Sequence, residues 1–307
     1  HSYSYLLILI SAFAIFNSTV LPLGEATVQE EHEKGSLDYG RTRLWGTLSF
    51  IVLAIAFGKL LDSAGNSWIL IGIICCFTLH FFVTFVMPEG KMTFKLQHDK
   101  VRLAFLTPST WIFFACVMLM QIGHGTFYGF YSIYLADLGF QESGIGIHWA
   151  VAATTELIVF MFASRIMKRF RAETLLSFCC IAAIARWYLT ATFSSFGLLT
   201  AFQSLHAFTF GLFHATCLYL LHRIFPEGSR SIGQSLYTTL GNGVGNFTGI
   251  LFAGIFWDQF GGKLFYANSA IMIVALFLSF LLRSSKLTAG EAEDQQPAFQ
   301  DLPGKQI

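Results

Sequence analysis

Long apolar stretches separated by short polar ones dominate the chain. Nine of them approach the length of about 20 residues that a helix needs to cross the hydrocarbon core of a bilayer. The predicted spans cover 5–23, 44–61, 68–87, 111–135, 145–166, 175–193, 198–221, 232–257 and 264–282. This pattern predicts an all-α polytopic membrane protein, in which consecutive spans joined by short loops run antiparallel.

The composition agrees with that pattern. Hydrophobic residues make up 54% of the chain and charged residues only 12%, whereas soluble domains carry about twice that share of charge. The formal net charge of +1 argues against a nucleic-acid partner, which needs a concentrated basic surface. All six cysteines fall within apolar stretches and none has zinc-ligand spacing. We interpret them as core residues and expect no metal or other cofactor.

The distribution of basic residues predicts the orientation in the membrane. A cytoplasmic C-terminus places sixteen of the 19 Lys and Arg residues in cytoplasmic loops, and only Lys59 and Lys263 outside. Cytoplasmic loops of membrane proteins carry such an excess of positive charge. We therefore expect a multi-pass protein of the cell inner membrane with its C-terminus in the cytoplasm.

A polar stretch after the third predicted span divides the chain. We expect a partial N-terminal bundle at 1–87, a cytoplasmic loop at 88–110, a six-helix C-terminal bundle at 111–283 and a disordered tail at 284–307. The tail is polar and partly acidic, a composition that does not form a packed core. Nine spans are an incomplete set for two six-helix bundles, so we interpret the sequence as a fragment that lacks three spans.

One acidic residue, Glu156, lies near the centre of a predicted span. Inserting an ionisable group there costs roughly 2.5–3.5 kcal/mol or more, and such groups face a partner or a water-filled path. At a rise of about 1.5 Å per residue, four further polar residues lie in the same layer near the bilayer middle. They are His124, Arg186, His206 and Asn246. Transporters bind substrate and coupling ions in this layer.

Polar residues also share one face on each of three predicted helices, when positions are projected at about 100° per residue. The faces comprise Gln121, His124, Tyr128, Tyr131 and Ser132; Gln203, His206, Phe210, His214 and Cys217; and Ser235, Thr238, Asn242, Asn246 and Gly249. Such faces indicate the walls of an aqueous cavity or, alternatively, interhelical hydrogen bonds in a static bundle. A separate repeat, Gly241, Gly245 and Gly249, favours close packing of two helices.

These residues suggest two chemical roles. We predict proton coupling by Glu156, His206 and His214, because carboxylate and imidazole groups can take up and release protons. Arg186 can bind a substrate carboxylate through two parallel hydrogen bonds. The other predicted substrate contacts are His124, Gln121, Tyr128, Gln203, Asn242 and Asn246. We expect Glu156 and Arg186 to alternate between pairing with each other and binding proton and substrate; a structural ion pair is the alternative.

Several segments resemble a known family. Residues 37–50, Leu-Asp-Tyr-Gly-Arg-Thr-Arg-Leu-Trp-Gly-Thr-Leu-Ser-Phe, resemble the entry to the fifth span of 3-phenylpropionate permease-like proteins of the major facilitator superfamily. The segment 22–26, Pro-Leu-Gly-Glu-Ala, resembles the end of their fourth span. Polar residues that resemble those of their seventh to tenth spans follow in matching order: Gln121, His124, Tyr128, Glu156, Arg186, Trp187, His206 and His214. The resemblance covers nearly all of 1–283 and implies a major facilitator fold carrying family spans 4 to 12.

The resemblance also implies a function. We expect a secondary active transporter that carries a small organic acid, such as phenylpropionate, together with a proton by alternating access. Its partners would be the small-molecule substrate, the proton and the lipid bilayer, and we expect a monomer. Proton symport of a neutral sugar or nucleoside stays open, as does a membrane binding or signalling protein that does not transport. No Gly-x-Ser-x-Gly or His-Glu-x-x-His motif occurs, so an enzyme is not expected.

Overall fold

The structure is a computed structural model of the chain. It describes residues 39–87, 107–225 and 230–284, together with part of 4–36. Glu25, most of the expected loop at 88–110 and the expected tail beyond Ser284 lie outside the described residues. The first predicted span, 5–23, is described only in part, and its described residues are helical.

Every regular element in the described part of the chain is a helix. The α-helices are α1 Tyr39–Ala64, α2 Trp68–Thr84, α3 Pro108–Asp137, α4 Glu142–Arg169, α5 Ala172–Thr192, α6 Phe196–Gln203, α7 Phe213–Ile224, α8 Arg230–Tyr237, α9 Asn246–Phe260 and α10 Leu264–Ser284. Two stretches of π-helix interrupt otherwise continuous helices. The first π segment, Ala207–Leu212, lies between α6 and α7, and the second π segment, Thr238–Gly245, lies between α8 and α9.

The described helices account for most of the predicted membrane spans. Among the described residues, six stretches are long and apolar enough to cross a membrane: Leu44–Ala64, Pro108–Asp137, Glu142–Arg169, Ala172–Thr192, Phe196–Ile224 and Ile232–Leu282. The last of these contains two predicted spans, which the short 3₁₀ turn Gly261–Lys263 separates. Helix α2 is apolar but has only 17 residues. The prediction of an all-α polytopic membrane protein is therefore confirmed.

Contacts divide the chain into two compact units. The first combines His1–Gly46 with Asn66–Phe94, and the second combines Thr47–Gly65 with Lys95–Ile307. In the first unit the ring of Phe13 packs edge-on against Phe77 of α2, with centroids 5.0 Å apart. The sequence assigned all of 1–87 to one bundle, whereas these contacts group most of α1 with the later helices. The expected bundle boundaries stay a prediction.

Within the second unit, the end of α1 packs closely against the start of α4. A β-carbon at Gly58 would lie 2.7 Å from the carbonyl oxygen of Glu142, so only glycine fits there without displacement. The Ser143 N–H, at the start of α4, donates to the Asp62 carboxylate at 3.2 Å. An acidic side chain is favourable at this position because the first N–H groups of a helix lack partners within the helix.

Helix α3 is central to the second unit and packs against α9, α10 and the second π segment. The repeated glycines make this packing possible. A β-carbon at Gly245 would lie 2.8 Å from the carbonyl oxygen of Met118, and one at Gly249 would overlap the carbonyl oxygen of Ile122. The interpretation of the Gly241, Gly245 and Gly249 repeat as a helix-packing feature is thus confirmed.

The first π segment brings its helix into close contact with α4. A β-carbon at Gly211 would lie 3.2 Å from Cγ of Glu156. The glycine therefore leaves room for the Glu156 side chain. π-helical turns contain one extra residue per turn and are frequent at functional sites. A π turn also rotates the side chains that follow it about the helix axis. A projection at 100° per residue therefore assigns those side chains to the wrong face.

Candidate substrate and proton site

Arg186 of α5 lies at the centre of the polar residues. Its side chain is fully buried, with 0% of the residue exposed. The guanidinium carbon lies 4.3 Å from the ring centroid of Phe127 and 4.3 Å from that of Trp187. Each such cation–π contact contributes about 2 kcal/mol when the cation is desolvated. Two aromatic rings therefore hold the guanidinium in place without neutralising its charge.

Polar groups of the neighbouring helix complete the surroundings of Arg186. Its Nη1 donates to Nδ1 of His206 at 3.1 Å and to Oγ1 of Thr209 at 2.9 Å. Its Nη2 donates to Oε1 of Gln203 at 2.9 Å. Because Nδ1 of His206 accepts a hydrogen bond, a neutral His206 carries its proton on Nε2. All three partners of Arg186 are then neutral groups.

His206 lies between the two charged residues of the site. Its Nε2 lies 3.6 Å from Oε2 of Glu156, and its Nδ1 contacts Arg186 on the other side of the ring. The Glu156 side chain is 21% exposed, whereas His206 is almost fully buried. The structure therefore connects Glu156 with Arg186 through an imidazole, where the sequence predicted direct pairing of the two charges.

His124 and Tyr128 of α3 lie beside this group. The His124 ring centroid is 5.7 Å from that of His206 and 5.8 Å from that of Tyr128. Nδ1 of His124 donates to the carbonyl oxygen of Met120 at 3.0 Å. Since a carbonyl can only accept, Nε2 of a neutral His124 is an acceptor. The Tyr128 ring stacks on Trp149 of α4 at 6.1 Å.

Two predicted contacts, Gln121 and Asn242, form a separate pair. Gln121 Nε2 donates to Asn242 Oδ1 and so connects α3 with the second π segment. Asn246 follows that segment, and its backbone carbonyl oxygen lies directly against Gly125 of α3. None of the hydrogen bonds of Arg186 goes to these three residues.

His214 lies one aromatic ring away from His206. The ring of Phe210 is stacked between them, with centroid distances of 5.3 Å to His206 and 6.2 Å to His214. Nδ1 of His214 lies 2.9 Å from the hydroxyl of Tyr237 in α8. The predicted common face of these rings is therefore present, but His214 belongs to the surroundings of Tyr237 rather than of Arg186.

Sequence reasoning overlooked two residues of this region, His148 and Thr209. His148 of α4 is fully buried and contacts the hydroxyl groups of Tyr131 and Thr200. A histidine within an apolar stretch was itself a signal, but His148 lies eight residues before Glu156 and hence outside the predicted central layer. Thr209 was overlooked because threonine is common in membrane helices, where it bonds its own backbone.

Several buried polar atoms of the site have no hydrogen bond within the described part of the chain. They are Gln121 Oε1, His124 Nε2, Arg186 Nε, Trp187 Nε1 and Gln203 Nε2. Buried polar groups of folded proteins nearly always have a partner, which can be water or a ligand. Such a concentration of donors and acceptors is typical of a binding site for a polar molecule. Among the described residues, no group of three His, Cys, Asp or Glu side chains is arranged to hold a metal ion.

Comparison with known proteins identifies the family. Residues 1–268 match the MFS_1 like family. The chain belongs to this family. The resemblance to the major facilitator superfamily is thereby confirmed, and the protein is a multi-pass membrane protein of the transporter type.

Three relatives are similar over most of their length. A probable 3-phenylpropionic acid transporter of Escherichia coli (strain K12) is 26% identical over 281 residues, which cover 90% of this chain and 73% of that protein. A maltose permease of Geobacillus stearothermophilus is 26% identical over 301 residues, covering 94% and 74%. The uncharacterized transporter YwbF of Bacillus subtilis (strain 168) is 22% identical over 292 residues, covering 93% and 72%. These relatives point to a transporter rather than an enzyme.

Proposed function

We propose that the protein is a proton-coupled symporter of a small carboxylic acid that carries an aromatic ring. It would work by alternating access in the cell inner membrane, with its C-terminus in the cytoplasm. One observation carries this proposal: Arg186 is fully buried, and its hydrogen bonds go to neutral groups. A buried charge without a counter-ion is unfavourable. An anionic substrate supplies that counter-ion.

The guanidinium has one edge suited to a carboxylate. Among the described residues, its Nε has no hydrogen-bond partner, and the adjacent Nη2 donates only to the Gln203 amide oxygen. A carboxylate that displaces Gln203 would accept one hydrogen bond from each of these nitrogens in the bidentate geometry that arginine favours. The Nη1 side would keep its bonds to His206 and Thr209. The aromatic ring of the substrate would lie towards Tyr128, which is partly exposed beside Trp149.

Glu156 and His206 would couple the proton to this binding step. A neutral His206 carries its proton on Nε2, which lies 3.6 Å from Oε2 of Glu156. A substrate anion at Arg186 places a second negative charge on the far side of the same imidazole, so repulsion favours protonation of Glu156. Because linkage is reciprocal, protonated Glu156 then favours substrate binding. Proton and acid would bind and leave together, which is symport.

The proposal is tested by uptake of labelled 3-phenylpropionate into proteoliposomes that contain the full-length protein. We expect accumulation when the outside is acidic relative to the inside. Arg186→Lys keeps the positive charge but loses the planar fork of donors. We expect it to lose saturable uptake. Absence of wild-type uptake from a panel of aromatic and aliphatic acids, under gradients of either direction, would refute acid symport.

Proton symport of a neutral sugar is the second candidate, because the maltose permease matches this chain at the same 26% identity. The neutral Gln121–Asn242 pair offers groups that can bind hydroxyls. The same liposomes decide between the two candidates. Gradient-driven maltose uptake that survives Arg186→Lys, without uptake of acids, would favour the sugar.

A further inference from the structure

A groove lies between α9 and α10, beside the 3₁₀ turn Gly261–Lys263 that joins them. Its volume is about 260 Å³ and its walls are almost entirely apolar. Three phenylalanines on one face of α9 form one wall, with ring centroids 4.9 Å apart for Phe252 and Phe256 and 6.3 Å apart for Phe256 and Phe260. Eight residues of α-helix extend about 12 Å. This wall is therefore long enough for part of a hydrocarbon chain.

One charged residue, Lys263, lies at the end of the groove. The other residues that line it are Phe252, Phe256, Phe260, Leu264 and Ala267. The turn that carries Lys263 requires its two glycines, because Gly261 has a φ of +51° and a β-carbon at Gly262 would overlap the ring of Tyr134 in α3. Packing against α3 therefore fixes the point at which the Lys263 side chain leaves the turn.

The ammonium of Lys263 has no acidic partner in the described part of the chain. The residue is exposed, and none of the ion pairs recorded there includes it. Even Asp258, which precedes the turn, does not pair with it. The stem of a lysine can lie along an apolar surface while its ammonium stays in a polar environment. The groove thus combines an apolar wall with a cation that lacks a counter-ion.

Two exposed tyrosines indicate the depth of this end of the helices in the membrane. Tyr188 of α5 is 53% exposed and Tyr266 of α10 is 39% exposed, and their ring centroids lie 5.6 Å apart. The Tyr266 hydroxyl also contacts the Thr192 hydroxyl at 3.2 Å, at the end of α5. Tyrosine is enriched where membrane helices meet the lipid headgroups. Lys263, one turn before Tyr266, therefore lies at headgroup level, and the phenylalanine wall extends from it towards the hydrocarbon core.

We propose that this groove binds an anionic phospholipid, whose acyl chain lies along the phenylalanine wall and whose phosphate pairs with Lys263. Each part of the lipid then meets a suitable group at the depth that it occupies in a bilayer. Basic pockets between transmembrane helices bind anionic headgroups in this way. In the proposed orientation the lipid belongs to the outer leaflet. The groove is separate from the Arg186 site, so the lipid binds whether or not the protein carries an acid.

The first test measures lipid binding to the full-length protein in detergent. Native mass spectrometry reports the ratio of lipid-bound to lipid-free protein during titration with dioleoyl phosphatidylglycerol, which is anionic, or dioleoyl phosphatidylcholine, which is zwitterionic. We expect the wild type to bind the anionic lipid about fivefold more tightly, the effect of one basic residue at a lipid surface. Lys263→Gln should bind both lipids equally. Lys59→Gln is the matched control and should keep the wild-type preference, because Lys59 is the other outward lysine of the predicted topology and does not line the groove.

The second test fills the groove. Ala267→Leu enlarges a side chain that lines it, whereas Ala270→Leu adds the same bulk to an exposed position of α10 outside the lining. We expect Ala267→Leu to lower the affinity for both lipids and Ala270→Leu to behave as the wild type does. Inorganic phosphate at the concentration of the lipid should not compete with phosphatidylglycerol, because phosphate alone cannot use the apolar wall.

Four results would overturn the lipid site. Equal affinity of the wild type for the two lipids would remove the role of the charge, and a preference that survives Lys263→Gln would place the anionic lipid elsewhere. Displacement of phosphatidylglycerol by an equal concentration of inorganic phosphate would leave a headgroup site without an acyl chain. Dimers that dissociate in Ala267→Leu, with lipid binding unchanged, would assign the groove to a second copy of the chain.

Discussion

His206 is the single residue whose placement most changes the predicted mechanism. The sequence placed Glu156, Arg186 and His206 in one layer, but depth along a helix does not determine which side chains touch. The structure inserts the imidazole between the two charges. In the proposed mechanism, a proton on Glu156 and a substrate anion at Arg186 would influence each other across this one ring, without the direct exchange of partners that the sequence suggested.

Glu156→Gln tests whether Glu156 carries the proton while the substrate binds on the other side of the His206 ring. Glutamine keeps the size and hydrogen-bonding capacity of protonated glutamate but cannot release a proton. We expect Glu156→Gln to retain exchange of labelled for unlabelled substrate between the two sides of the membrane, because exchange needs no net proton movement. Accumulation driven by a pH gradient should be lost. Full gradient-driven accumulation by this variant would show that Glu156 is not the proton carrier.

Thr209→Val tests the surroundings of the buried guanidinium. Valine has the shape of threonine without the hydroxyl that accepts from Nη1 of Arg186. Loss of this acceptor should lower the free energy of unfolding by about 1–3 kcal/mol. Thr216→Val is the matched control, because the buried Thr216 hydroxyl has no hydrogen bond within the described residues. Thermal unfolding in detergent should show a lower midpoint for Thr209→Val alone, and equal midpoints would contradict this account of Arg186.

At the scale of elements, the sequence predicted helix packing better than helix geometry. The Gly241, Gly245 and Gly249 repeat lies against α3 as its spacing indicated. The two π segments could not be predicted, since a π turn arises where tertiary packing accommodates an extra residue. Both segments coincide with predicted site residues, because His206 immediately precedes the first and Asn242 lies within the second.

Gly249→Ala tests the contact between α3 and α9. The new methyl group would overlap the backbone carbonyl oxygen of Ile122, so the two helices must separate. Such overpacking destabilises by typically 1–3 kcal/mol, which should lower the thermal midpoint in detergent. Gly254→Ala on the same helix is the control, because its methyl group would lie 3.7 Å from Phe130 Cζ, an ordinary contact. If the thermal midpoint of Gly249→Ala were as high as that of the control, α3 and α9 would not pack as closely as this contact implies.

The ion pair between α5 and α7 gives a second test at this scale. The Glu173 side chain is almost fully buried, and its Oε1 accepts a hydrogen bond from Arg223 Nη1 at 2.9 Å. Arg171 Nε lies 3.8 Å from Oε2 of the same carboxylate. Arg223→Gln should destabilise by about 3–5 kcal/mol, because it leaves a buried carboxylate without this partner. The Arg171 side chain is 59% exposed, so Arg171→Gln should change stability by less than about 1 kcal/mol. Equal effects on the thermal midpoint would contradict this ranking.

For the whole molecule, the hydrophobic pattern was sufficient for the fold class and for most helices. Spans such as 111–135 and 145–166 correspond to α3 and α4. Each helix extends two or three residues further at each end, because polar residues continue it beyond the apolar core. The grouping of α1 could not be read from the pattern, since an apolar helix does not reveal its neighbours. The His148–Tyr131 contact was hidden for the same reason: it joins α3 and α4 through side chains that lie 17 residues apart.

The proposed symport also predicts the charge that the transporter moves. One proton on Glu156 with one substrate anion gives neutral transport, since the proton and the anion are linked one to one. An inside-negative potential, imposed with potassium and valinomycin at equal pH, should therefore leave wild-type uptake of 3-phenylpropionate unchanged, while an inward pH gradient accelerates it. Uptake that the potential accelerates would mean that more than one proton accompanies each anion, because only a net charge responds to the potential.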